Sequence, residues 1–255
     1  MKFFSNEGIG KVNGLFSIDH VIYTTLGLLM IILLLIFTYK LEHKKIKKII
    51  RISFWFVFIA EILKIIWNLT IRQSVTLDNW VPLYYCSFFI YTSFLVGYCK
   101  GKAEQFGKSF LFFGQVVAGL AFLFYPSSAL LVHPFLHVLS VHSLIYHALS
   151  VYIGLLIVLS KYYVPNKKDF PLYLIVLVVF STLIYCFNLI FKTNMMFLSN
   201  PWNIGPLIVI YNFSKILYPI LLSLFQIVGS YVVSYIIYNL VVKINNRKRN
   251  YDLTK

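Results

Sequence analysis

Seven long apolar runs, separated by short connections that carry most of the lysine and arginine, constrain this chain more than any other feature. A helix crossing a hydrocarbon core of ~30 Å needs ~20 predominantly apolar residues. Runs of that kind fall near His20–Tyr39, Ile52–Ile71, Val81–Tyr98, Ser109–Phe124, Leu136–Leu159, Phe170–Ile190 and Ile216–Val242. The mean hydropathy of +0.80, with 60% hydrophobic residues, is more apolar surface than a water-soluble domain can bury. The expectation is an all-α, multi-pass protein of a cell membrane, a single bundle of seven transmembrane helices with residues 1–255 forming one membrane domain. No removable signal peptide is read at the N-terminus, since no small-residue cleavage site follows a short apolar core.

The basic residues set the orientation. The first, third and fifth connections and the C-terminal tail together hold seventeen of them, from Lys40 to Arg51, Lys100 to Lys108, Lys161 to Lys168 and Lys243 to Lys255. The opposite side holds five: Lys2, Lys11, Arg72, Lys192 and Lys215. Cytoplasmic loops are enriched in positive charge, so the N-terminus is placed outside and the C-terminus in the cytoplasm. The net charge of +15 then reads as a topology and headgroup signal, with phospholipid as partner and no nucleic acid.

Given that topology, the polar residues inside the spans gather in the outer half of the bundle. Cys86 falls about two turns inside the third span, and His142 and His147 lie in the fifth. Asn68 and Asn188 stand near the outer ends of the second and sixth, His20 at the start of the first. Polar groups in hydrocarbon are costly unless paired or facing a cavity, so one polar layer built from several spans argues for an outward-opening pocket. The competing explanation is that each residue bonds a neighbouring helix and holds the bundle together.

A thiol beside an imidazole can attack an ester and carry the acyl group as a thioester. His147 matches Cys86 in depth and shares a face with Ser143 and Ser140, which makes it the first-choice base. His142 lies about 140° away around the helix, on the face of Tyr146. Asn188 or Asn68 could donate to the oxyanion. Packing is the alternative for Cys86, because free cysteine is often buried for its bulk alone. Glu61 and Lys64, three apart in the second span, form either a self-neutralising pair or, with Asn68 and Arg72, a polar stripe rising to the pocket. The two histidines lack metal-site spacing and no carboxylate joins them, so no metal and no cofactor is expected. The three cysteines show no paired spacing.

Four short motifs carry a resemblance: FSIDH at the start of the first span, PLYYC opening the third, HSLIYH in the fifth, and NLIFKTNMMFLSNP after the sixth. Together they resemble the YwaF-like bacterial integral membrane family, which is related to the eukaryotic transmembrane protein 164, understood as a Cys-dependent acyltransferase of ether phospholipids. The resemblance implies a thiol at Cys86, a histidine at His142 or His147, and asparagines at Asn188 and Asn194 lining one site. The chain departs from the bacterial pattern at Tyr84, where that pattern has histidine, and at Ser87, where it has an acidic residue. Tyr84 can donate a hydrogen bond but is a poor base near neutral pH. The catalytic candidates are therefore Cys86, His147 and His142, and the substrate-binding candidates Asn68, Tyr84, Asn188, Asn194, His20 and Glu61.

The function read from this pattern is a lipid acyltransferase or acyl hydrolase acting on phospholipid in the outer leaflet. The alternative is a non-enzymatic transporter or receptor whose outward-facing pocket takes a small ligand. Transporters tend to show internal repeats and ionisable groups near the midplane, and here only Glu61 fits. A scaffold for another membrane protein is a third possibility, for which Gly114 to Ala118 is the only small-residue hint.

Overall fold

The computed structural model describes residues 2–202 and 204–240. Among them there is no strand; the one isolated bridge joins Ile9 to Leu136. In chain order the helices are α1 (Ile18–Thr38), α2 (His43–Thr70), α3 (Phe88–Tyr98), α4 (Gly101–Phe113), α5 (Gln115–Phe124), α6 (Ser127–Leu130), α7 (Val138–Leu159), α8 (Phe170–Phe191), α9 (Gly205–Phe213) and α10 (Tyr218–Leu224). A π turn, Phe225–Gly229, follows α10, and the same helical stretch runs on to Leu240.

Five stretches are long and apolar enough to cross a membrane: Ile18–Thr38, Gly101–Phe124, Val138–Leu159, Lys167–Phe191 and Tyr218–Leu240. α2 has the length, at 28 residues, but begins in a lysine cluster and carries Glu61 and Lys64 along its middle. The third expected span, Val81–Tyr98, is helical only over Tyr85–Tyr98. Pro82 disfavours a helical Val81, so residues 71–84 run as turns and one 3-10 turn at Leu77–Asn79. The fourth span begins earlier than expected, at Gly101, and α4 passes into α5 at Gly114 with helical φ and ψ. The connection after the sixth holds a short helix, α9, that the hydropathy pattern does not single out. The far end of the last expected span and the basic C-terminal tail lie outside the described residues.

Burial sorts the helices. Within the most apolar windows, 67% of Gly101–Phe124 and 61% of Val138–Leu159 is buried, against 17% of Ile18–Thr38 and 22% each of the last two stretches. The α4–α5 arm and α7 are therefore the centre, and α1, α8 and α10 present their apolar outer faces to the surroundings. The centre is tight because of two glycines. A Cβ on Gly154 of α7 would sit 2.3 Å from the Leu111 carbonyl oxygen, and one on Gly119 of α5 2.5 Å from Val151 Cγ2. Small residues at such crossings let backbones approach and gain van der Waals contact where lipid gives no hydrophobic drive.

The N-terminal residues form a strap across one end of the bundle. Trp67 Nε1, near the end of α2, donates to the Phe4 carbonyl (2.7 Å), and Ile9 N donates to the Leu136 carbonyl (3.0 Å) just before α7. Gly8, at φ +72°, packs where a Cβ would strike His137 and Pro134 at 2.9 Å. At the same end Ser17 caps α1 by accepting from His20 N, while His20 Nδ1 accepts from Phe16 N.

Candidate functional site

Cys86 lies in the 3-10 turn Tyr85–Ser87 that opens α3. Counted from Tyr98, the helical stretch up to Tyr85 is about 21 Å long at ~1.5 Å per residue, well short of ~30 Å. The thiol therefore sits at the broken end of a half-length helix, below the irregular residues 71–84. Irregular backbone at that depth is tolerated only where protein covers it or it lines a cavity.

Side chains from two neighbouring helices hold that turn. Gln115 Nε2, at the start of α5, donates to both the Tyr85 and the Cys86 carbonyls (3.2 Å each), and Tyr146 Oη of α7 donates to the Cys86 carbonyl (3.2 Å). Tyr85 ties the turn to the far side. Its hydroxyl meets Tyr173 Oη at 3.1 Å and Ser230 Oγ at 3.2 Å, and donates to the Gln226 carbonyl at 2.9 Å. That carbonyl belongs to the π turn, whose widened ladder frees it to accept. Tyr85 and Tyr146 fall inside the PLYYC and HSLIYH motifs, but the sequence assigns an anchoring role to none of these residues. Gln115 stands out in the sequence only as a polar residue in an apolar run, and Tyr173 and Ser230 carry no signal.

The two histidines of α7 flank Tyr146, with ring centroids 5.8 Å (His142) and 5.6 Å (His147) from it. Among the described residues no hydrogen bond joins Cys86 Sγ to either imidazole. His147 is pinned. Its ring lies flat on Phe122 at 3.6 Å between centroids, and Nδ1 is 2.7 Å from the Ser143 carbonyl. A carbonyl only accepts, so Nδ1 carries the hydrogen and Nε2 keeps the lone pair. His142 Nε2 is buried without a hydrogen-bond partner and stands 3.9 Å from Glu61 Oε2 of α2. The other Glu61 oxygen accepts from Lys64 Nζ. Glu61 is thus both an intrahelical ion-pair partner and the carboxylate nearest His142.

His142 and Tyr146 line a cleft of about 210 Å³ between α2 and α7, with Val57, Ala60, Val141 and Ile145 among its apolar walls and Phe3 of the strap beside them.

The remaining candidates are placed as follows. Asn68 Nδ2 donates to the Lys64 carbonyl (3.1 Å) and the Asn79 carbonyl (3.4 Å), and Arg72 Nη1 to Asn79 Oδ1 (3.3 Å). They grip the loop above Cys86 instead of continuing a stripe from Glu61. Asn188 makes three bonds: Oδ1 accepts from Thr193 Oγ1 and Met195 N, and Nδ2 donates to the Met195 carbonyl. Asn194 is also engaged, accepting from Ser199 N and Asn200 N. Together they hold a loop in which Met196 and Phe197 adopt positive φ (57° and 59°). That loop leans on Tyr84, its Phe197 ring 5.7 Å from the tyrosine ring. Asp78, which the sequence does not single out, joins the two by accepting from Tyr84 Oη (3.3 Å) and Asn194 N (2.9 Å). His20 belongs to the first turn of α1 and bonds its own strap. No group of three or more His, Cys, Asp or Glu side chains that could hold a metal occurs among the described residues.

A family model described as the TMEM164 family matches residues 15–242, nearly the whole chain. The chain belongs to the TMEM164 family. Comparison with the curated proteins and with the solved structures returned no match. Membership in the TMEM164 family and the five apolar helices identify a helical membrane protein. The TMEM164 match takes in all of the helices described above and leaves out most of the strap.

Proposed function

We propose that this protein is a lipid acyltransferase or acyl hydrolase in which Cys86 is the nucleophile and an imidazole of α7 the base, acting on phospholipid from the outer leaflet of the cell membrane. The observation that supports it most is the placing of Cys86 at the broken end of α3, its carbonyl held by both Gln115 and Tyr146. Two buried donors on one turn fix the position of a side chain that packing alone would not require to be fixed. With the N-terminus outside and seven crossings, that end of the bundle opens on the outer leaflet, at about the depth of glycerol esters.

His142 is the base favoured by its surroundings. Glu61 is the carboxylate near its Nε2, at 3.9 Å, too long for a hydrogen bond in the resting arrangement. It is placed to hold the ring as a triad carboxylate does once the site closes, leaving Nδ1 for the proton. His147, the first choice from sequence, has the right tautomer but is held flat against Phe122. The thiol hydrogen passes to the imidazole as sulfur bonds the ester carbonyl carbon. The carbonyl–oxygen bond then breaks, and the departing lysolipid alkoxide takes the proton. A second alcohol, or water, attacks the thioester, and its proton returns to sulfur by the same imidazole. Neither imidazole touches Sγ in the resting arrangement, so this chemistry requires a closing movement when lipid binds. Asn68 Nδ2 is bonded to two backbone carbonyls and Asn188 Nδ2 to one, so an oxyanion taken by either must compete with those bonds.

Purified wild type and Cys86→Ala, matched for thermal stability, are compared in phospholipid vesicles by mass spectrometry. Acyl exchange and acylated Cys86 in the wild type alone is the expected result. If neither protein alters any lipid, the enzyme reading falls and the pocket is a binding site for a small ligand.

A further inference from the structure

The cleft between α2 and α7 is not accounted for by the polar anchors around Cys86. It follows α7 from Val138 to Tyr146, which is ~12 Å at ~1.5 Å per residue. About 210 Å³ over that length leaves a section of ~17 Å², the width of one carbon chain at ~4 Å van der Waals contact. The volume also lies below the ~300–1,000 Å³ of ordinary small-molecule pockets, too little for a lipid with two tails. Val57, Ala60, Val141 and Ile145 offer no hydrogen bond, and His142 and Tyr146 are the two lining residues with polar side chains. Phe56, half exposed, stands where the cleft meets the outer face of α2, so a chain can enter sideways from the bilayer.

We propose that this cleft binds one fatty acyl chain of a membrane phospholipid, with its ester beside His142 and Tyr146. The ester is the one polar group of a chain, as His142 and Tyr146 carry the polar side chains of the wall. Tyr146 makes the connection with the nucleophile, because it lines the cleft while its hydroxyl donates to the Cys86 carbonyl. The chain site rests on the acyl-transfer reading for its purpose, but its occupancy does not depend on turnover.

The test uses the full-length protein in vesicles holding a phospholipid with a photoreactive diazirine in one acyl chain, and cross-linked residues are mapped by mass spectrometry. Wild type and Cys86→Ala should both be labelled on residues 56–60 and 141–145. Ala60→Trp, which fills the cleft, should lower that labelling about tenfold, and the smaller Ala60→Leu should lower it less while folding more readily. Labelling in the cleft without any wild-type turnover upholds the chain site and sinks only the enzyme reading. Turnover that persists in Ala60→Trp with unchanged chain preference overturns the chain site and spares the enzyme. Labelling spread evenly over the lipid-facing sides of α1, α8 and α10, and equal in all variants, also overturns it.

Discussion

At the scale of single residues, the buried polar side chains divide into those that are satisfied and those that are not. Asn188 and Asn194 direct their side-chain hydrogen bonds to one loop, so their role is to shape what presses on Tyr84. Gln115 is different, since Nε2 serves the Cys86 turn while Oε1 has no partner. Gln115→Leu keeps the volume and deletes two hydrogen bonds to buried carbonyls, which should cost about 2 kcal/mol. The thiol should then react faster with maleimide in micelles as the turn loosens, while acyl turnover falls. Unchanged maleimide kinetics would show that Gln115 does not hold the turn. His133, in the connection before α7, is lowered to a pKa of about 4 by burial, by His137 stacked on it at 4.0 Å and by Arg72. The unfolded chain therefore takes up a proton that the folded one refuses between pH 6.5 and about 4. Stability contributed here is present above pH 6.5 and lost progressively down to about pH 4. Melting temperature followed across that range should fall more steeply for the wild type than for His133→Gln.

At the scale of elements, the fold depends on where backbones touch. Gly154 lies against the Leu111 carbonyl and admits no side chain. Gly154→Ala must push α4 from α7 and should destabilise by about 1–3 kcal/mol, with a lower melting temperature and broader loss of α-helical signal on heating. A melting curve equal to wild type would mean that the two backbones have room to spare at this crossing. The apolar runs make most of these helices legible in the amino-acid sequence alone, because a run near twenty residues without charge has few other fates. The half-length of α3 is partly legible: Pro82 is in view, but a hydropathy window averages the break with the apolar residues on either side. The junction at Gly114 and the π turn at Gln226 are not legible, since both depend on what a neighbouring helix presents. The histidines illustrate the same limit. Depth along a helix follows from counting, and it ranks His147 first. The partner of each ring is set by a different helix, and Phe122 and Glu61 lie far from α7 in sequence.

At the scale of the whole molecule, the centre formed by α4, α5 and α7 is densely buried, while α1, α8 and α10 give most of their surface to the surroundings. The candidate site lies between these regimes, with α2 and α3 forming its walls beside the buried centre. The N-terminal strap is fastened to the end of α2 through Trp67 and to the start of α7 through Leu136, one bond on each bank of the cleft. A segment anchored on both banks works as a hinge pin. Any separation of α2 from α7 must stretch or release it, so the first residues of the chain report on, and resist, the opening through which a lipid would leave.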